Sequence, residues 1–150
     1  MKIALGADHA GFELKENIRQ HLAGIADVQD FGTSALESVD YPDFARAVAE
    51  AVAAHQADRG ILFCGTGIGM AIAANKVPGI RAANVNTESE AKICREHNDT
   101  NVLTVGGRLL DAATASKIVD TWLETAFAGG RHQRRIDKIA AMEMSSALRR

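Results

Sequence analysis

The chain has 150 residues and a formal net charge of −2, with 47% hydrophobic and 24% charged side chains. That balance is expected of one ordinary globular domain over residues 1–150 and excludes disorder, collagen-like repeats and coiled-coil rods. No apolar run approaches the roughly 18 residues that a bilayer span requires. The opening MKIALGADHAGF meets charge and glycine too early for a secretory signal, so a cytoplasmic address and no membrane partner are expected.

The charge is unevenly spread. Residues 131–150 hold Arg131, Arg134, Arg135, Lys138, Arg149 and Arg150 against Asp137 and Glu143, which leaves a net −6 for residues 1–130. A basic stretch can bind nucleic acid, but the acidic remainder and an aromatic share of 5% give no broad phosphate-tracking face and no stacking platform. A compact anion suits the pattern better. Cys64 and Cys94 are too few for a disulfide framework or a four-cysteine zinc site, and in a reducing compartment both stay thiols.

Taken in order, KIALGAD reads as a first strand, followed by helical spacing at Leu14, Ile18 and Leu22. VQDF is a second strand, and Phe44, Val48 and Val52 mark a helix that starts at Pro42. RGILFC is a third strand that runs through a glycine-rich turn into another helix. RAANV and NVLTVG complete the five. Between them Thr87 and Glu90 form a capping box, and Asp111 is an N-cap ahead of Ile118, Trp122 and Ala126. Pro78 falls in a loop. From Arg131 onward Ile136, Ala140 and Ala147 share a stripe with no strand after them, which predicts a terminal helix that packs on a partner chain. This alternation predicts a three-layer α/β/α Rossmann-like sandwich: a five-stranded parallel sheet, helices on both faces and an extended C-terminal helix.

In such a sheet ligands bind beyond the carboxyl ends of the strands. Three of those ends carry unusual residues: Asp8 and His9 after the first, Cys64-Gly65-Thr66-Gly67-Ile68-Gly69 after the third, and Gly106-Gly107-Arg108 after the fifth. The glycine turn aims backbone N–H groups and a helix start at one spot, which is an anion cradle. It is neither of two familiar phosphate loops. The dinucleotide fingerprint needs glycine where Met70 stands and an acidic residue near Asn84 to Asn86, and Lys76 lacks the glycine before it and the Ser or Thr after it of a Walker loop. No cofactor is therefore expected.

Cys64 stands where a strand meets this cradle, a setting that favours thiolate over thiol and so a base or nucleophile, whereas Cys94 sits on the apolar face of a helix and reads as core. Of five histidines, His21 and His55 read as solvated and His132 lies beside the arginines, leaving His9 and His97 as candidates for chemistry. They provide no zinc spacing, and no metal is expected. Arg131 and Arg135, one turn apart, share a helix face with Arg134 near the same edge, and two guanidiniums together suit a phosphate monoester.

The segments GADHAGF, DYPDFA, CGTGIGMAIAANKVPGIRAA, HNDTNVL and GGRHQRRI, in this order and over nearly the whole chain, resemble the ribose-5-phosphate isomerase B family, which includes galactose-6-phosphate and allose-6-phosphate isomerases. The resemblance implies a metal-independent aldose–ketose isomerisation of ribose 5-phosphate through a cis-enediolate. Cys64 would then move the proton between C2 and C1 and His97 would open the sugar ring. Asp8 and Thr66 would hold sugar oxygens, and the Gly65–Gly69 amides (Gly65, Thr66, Gly67, Ile68, Gly69) with Asn98 would stabilise the enediolate. Tyr41 would line the pocket, while His9, Arg108, Arg131 and Arg135 would bind phosphate. One branch of the family uses a glutamate as base at the position of Met70, and methionine accepts no proton. The resemblance also implies a homodimer with shared sites, sometimes paired into tetramers, in which His97 and Arg108 come from the neighbouring chain. Two other readings compete: a hexose-phosphate isomerase, and a non-catalytic phospho-ligand module in which Cys64 is structural.

Overall fold

The computed structural model describes residues 1–147. Five strands, β1 (Lys2–Ala7), β2 (Asp27–Asp30), β3 (Arg59–Cys64), β4 (Ala82–Asn84) and β5 (Val102–Gly106), form one sheet in the order β2-β1-β3-β5-β4. Every pairing is parallel, with Leu5 opposite Ile61 and Ile61 opposite Leu103 across the centre. Alternation along the strands fills two cores. Ile3, Leu5, Ile61, Phe63, Leu103 and Val105 face α1 (Phe12–His21), α4 (Glu88–Asn98) and α5 (Ala112–Glu124). Ala4, Leu62, Cys64 and Val102 face α2 (Tyr41–Ala53) and α3 (Ile68–Ala74). The last helix, α6, spans Arg131–Ala147. The expected sandwich, strand set and parallel direction are all present.

Local chemistry sets the helix boundaries. Thr87 and Glu90 form the capping box of α4, and the Asp111 carboxylate accepts the Thr114 N–H at 2.7 Å. Those backbone bonds hold the Asp111 carboxyl below its ordinary range. The end of α5 departs from the periodicity, for the helix stops at Glu124 and Ala126 is exposed beyond it. The Arg59 guanidinium takes the Trp122 and Leu123 carbonyls at 2.9 and 3.1 Å, and Arg95 takes that of Thr125 at 3.3 Å. The final carbonyls are thus satisfied from outside the helix, and Thr125 turns extended.

His21 is not simply solvated: its Nε2 lies 2.7 Å from Asp120, tying α1 to α5. Cys94 is core, as expected, and burial pushes its thiol up, partly opposed by the Thr100 hydroxyl. In α6, Ile136 is buried whereas Ala140, Ile139, Met142 and Met144 are exposed. Arg149 and Arg150 lie outside the described residues, as does the Ala147 side chain. Among the described residues no helix is long and apolar enough to cross a membrane.

Candidate active site

The carboxyl ends of β1, β3 and β5 and the first turns of α2 and α3 enclose a cleft of about 530 Å³, ample for a small phosphorylated ligand. Asp8, His9, Tyr41, Cys64, Gly65, Thr66, Ile68, Gly69 and Arg108 line it. Asp8 is committed on one side, its Oδ1 accepting the Ala10 and Gly11 N–H groups at 2.9 and 3.0 Å. Its other oxygen has no partner among the described residues and is available to a ligand hydroxyl. The Val39 N–H donates to His9 Nδ1 at 3.2 Å, which leaves Nε2 as the free ring nitrogen.

Cys64 ends β3, 5% exposed, and its sulfur accepts the Gly67 N–H at 3.1 Å. Gly67 has φ +81°, and a side chain there would collide with Asn84 and the β5 backbone. Gly69 is required for a different reason, since a Cβ would meet the Tyr41 ring at 2.6 Å. The close approach brings Tyr41 over the loop. Thr66 is exposed, its hydroxyl accepting the Ile68 N–H at 3.2 Å. The first turn of α3 leaves the Gly69 and Met70 N–H groups without an intrahelical acceptor. Met70 itself is fully buried in the core beneath the loop, so that position presents no side chain to the cleft.

Arg108 lies on the turn after β5, whose backbone is fastened to the Cys64 loop by Gly107 N–H to the Cys64 carbonyl at 2.7 Å and Arg108 N–H to the Gly65 carbonyl at 3.0 Å. It therefore lines the pocket of its own chain, which corrects the expectation that a neighbouring chain supplies it. The two turns are hydrogen-bonded neighbours because β5 lies beside β3.

His97, Asn98, Arg131 and Arg135 do not line this cleft. His97 and Asn98 end α4, immediately before β5, and so stand at the amino edge of the sheet. β5 alone separates the edges by five residues, or about 17 Å at about 3.3 Å each. The His97 ring stacks on that of His132 at 4.4 Å and 11°, which brings the start of α6 with exposed Arg131 and Arg135 to the same place. The His132 imidazole is held below its ordinary value, first by desolvation and then by His97, Arg131 and Arg135.

This second group rests on a rigid base. Arg81 binds the Asn98 and Asp99 carbonyls at 2.9 and 2.8 Å, Arg95 binds Asp99 Oδ1 at 2.8 Å and the Thr100 carbonyl at 2.6 Å, and buried Trp122 donates to the Thr100 hydroxyl at 2.8 Å. His132 was legible in sequence only as a neighbour of arginines; its stacking on His97 depends on the return of the chain after α5. Among the described residues no three His, Cys, Asp or Glu side chains converge as metal ligands.

Fold and cleft together define a doubly wound α/β protein with a thiol-bearing pocket, lined also by His9 and Arg108, at the carboxyl edge of its sheet. Residues 3–139 match the family model described as Ribose/Galactose Isomerase, and the chain belongs to that family. It is 50% identical to ribose-5-phosphate isomerase B of Escherichia coli over 95% of this chain and 96% of that protein. A structure of the Clostridium thermocellum ribose-5-phosphate isomerase B is 52% identical, with a TM-score of 0.96 over 97% of this chain and 99% of that one. The Mycoplasma genitalium ribose-5-phosphate isomerase B, solved with bound ribulose-5-phosphate, is 44% identical with a TM-score of 0.92 over 95% and 96% of the two chains.

Proposed function

We propose that this chain is an aldose–ketose isomerase interconverting ribose 5-phosphate and ribulose 5-phosphate, with Cys64 as the base. The observation that carries the reading is a sulfur at the floor of a sugar-phosphate-sized cleft, oriented by the Gly67 N–H that it accepts at 3.1 Å. A proton on carbon beside a carbonyl is weakly acidic, so its transfer needs a positioned base and donors for the developing oxyanion. Cys64 takes the proton from C2 and the electron pair passes to the C1 carbonyl oxygen to give the enediolate; the O2 proton then moves to O1, and as the thiol returns its proton to C1 the electron pair on O2 closes the C2 carbonyl. With the Gly67 and Ile68 amides engaged by Cys64 Sγ and Thr66 Oγ1, the Gly69 N–H at the start of α3, which has no intrahelical acceptor, receives the oxyanion charge. Asp8, Thr66 and Tyr41 hold hydroxyls, and His9 with Arg108 faces the phosphate. A cytoplasmic setting suits a base that needs a reduced sulfur. No metal or cofactor enters these steps.

His97 opens the furanose ring and Arg131 and Arg135 complete the phosphate site from a second copy of the chain, with Asn98 joining the enediolate donors. Support comes from the placement of these groups at the opposite edge of the sheet and from exposed Ile68 and Ile72 lining the cleft, apolar surface that a homodimer would cover. Substitution and isotope exchange test the base. Cys64→Ala is expected to lower turnover at least about 100-fold while sugar phosphate still binds, and wild-type turnover in D2O is expected to place deuterium at the transferred carbon position. Near-normal turnover by Cys64→Ala removes sulfur from the mechanism, whereas a wild-type protein that binds sugar phosphates and turns none of them over is the phospho-ligand module. A higher kcat/KM on allose 6-phosphate than on ribose 5-phosphate selects the hexose reading instead.

A further inference from the structure

Behind the Gly67 loop, β4 and β5 contribute two polar side chains that no step above uses. Asn84 ends β4, and its Nδ2 donates to the Thr66 carbonyl and to the Thr104 carbonyl and hydroxyl, each at 3.2 Å. Thr104, fully buried in the middle of β5, donates its hydroxyl to the Gly67 carbonyl at 2.8 Å. The two loop carbonyls belong to consecutive peptide groups, 66–67 and 67–68, and in a planar trans peptide the N–H points away from the C=O. The first peptide presents the Gly67 N–H to Cys64 Sγ at 3.1 Å, and the second presents the Ile68 N–H to Thr66 Oγ1 at 3.2 Å. Each plane is therefore gripped at its oxygen by β4 or β5 and delivers its hydrogen to the site. A hydrogen bond to the carbonyl also polarises the peptide and strengthens the N–H on its other side.

We propose that Asn84 and Thr104 are positioning residues for Cys64, aiming and strengthening through the Thr66–Gly67–Ile68 peptides the amide hydrogen bond that its sulfur accepts. At the sulfur this stands on geometry alone; its consequence for turnover rests on the reading of Cys64 as the base. The other polar groups around the sulfur are Asp8 and His9 after β1, Tyr41 from α2 and Arg108 after β5, while α3 brings only Ile68, Gly69 and Ile72. None of those four bonds to Asn84 or Thr104, so changing the latter leaves them in place.

The test reads the sulfur directly. Iodoacetamide alkylation of the full chain is followed against pH and read by mass spectrometry on the Cys64 peptide, for the wild type, Asn84→Ala, Thr104→Val and Thr104→Ser, with kcat and KM on ribose 5-phosphate measured in parallel. The alkylation midpoint is expected to rise by about half a pH unit in Asn84→Ala and Thr104→Val. At neutral pH kcat falls about threefold while KM changes less than about twofold, and Thr104→Ser restores both. Midpoints equal to wild type in both deletions overturn the proposal, whatever happens to thermal stability. Should Thr104→Val fail to fold, Asn84→Ala at the half-buried strand end carries the comparison alone. A shifted midpoint with unchanged kcat upholds the positioning of the sulfur and removes Cys64 as the base.

Discussion

At the carboxyl edge of the sheet, Cys64 is nearly sealed, its loop is stitched to β4 and β5 by backbone and side-chain bonds, and the facing imidazole and guanidinium are those of His9 and Arg108. At the amino edge, His97, Arg131 and Arg135 stand exposed on helix ends, held at their base through Arg81 and Arg95. One edge has the proposed base and oxyanion donors, the other the second imidazole and a pair of guanidiniums. A strand length between them cannot be bridged by side chains of the same chain. The rule that ligands bind beyond strand carboxyl ends thus locates only half of the proposed site. The second half follows if a neighbouring copy presents its amino edge to this cleft.

Complementation puts that difference under the greatest strain. Cys64→Ala and His97→Asn should each lose at least about 100-fold in turnover. Dissociated, mixed and reassociated in equal amounts, they should recover about a quarter of wild-type activity, because half of the dimers are mixed and each of these holds one intact site of two. Verified mixed dimers that stay inactive would mean that His97 serves a site within its own chain or none.

A smaller effect is expected at the arginines. Arg135→Ala should raise KM for ribose 5-phosphate about tenfold, with little change in kcat and none in the turnover of unphosphorylated ribose. Equal losses on both sugars would assign Arg135 to folding or assembly rather than to phosphate. An unchanged KM would leave phosphate to His9 and Arg108 at the carboxyl edge.

What could be read from the sequence follows the same division. Strands with buried apolar runs, the capping box at Thr87 and the N-cap at Asp111 are local, and local chemistry decides them. The Cys64 loop was legible because glycine spacing and the strand before it are contiguous. Ala126 was misplaced in a helix because Arg59, 63 positions before Trp122, takes the carbonyls that end it. The resemblance implies Arg108 from a neighbouring chain, whereas the pairing of β5 with β3 brings it to the Cys64 cleft of its own chain. Asn84 and Thr104 gave no signal, since β4 and β5 flank the loop only through the sheet order, which periodicity does not encode.

The smallest expected effect separates the edges by pH. Desolvation, then His97 and the two arginines, lowers the His132 imidazole from its ordinary 6.5, with Glu96 opposing. In that window the unfolded chain binds more proton than the folded one, so the contribution is fully present above about pH 6.5 and is lost as pH falls through the lower folded value. His132→Asn removes it. The melting temperature of the wild type should therefore fall more than that of the variant between pH 7.5 and 5.5, by a small margin because the ring is solvent-screened. Equal slopes would show that the stack with His97 does not depend on a neutral ring. A larger drop in the variant would give the pair the opposite sign, with protonation at the amino edge strengthening the fold.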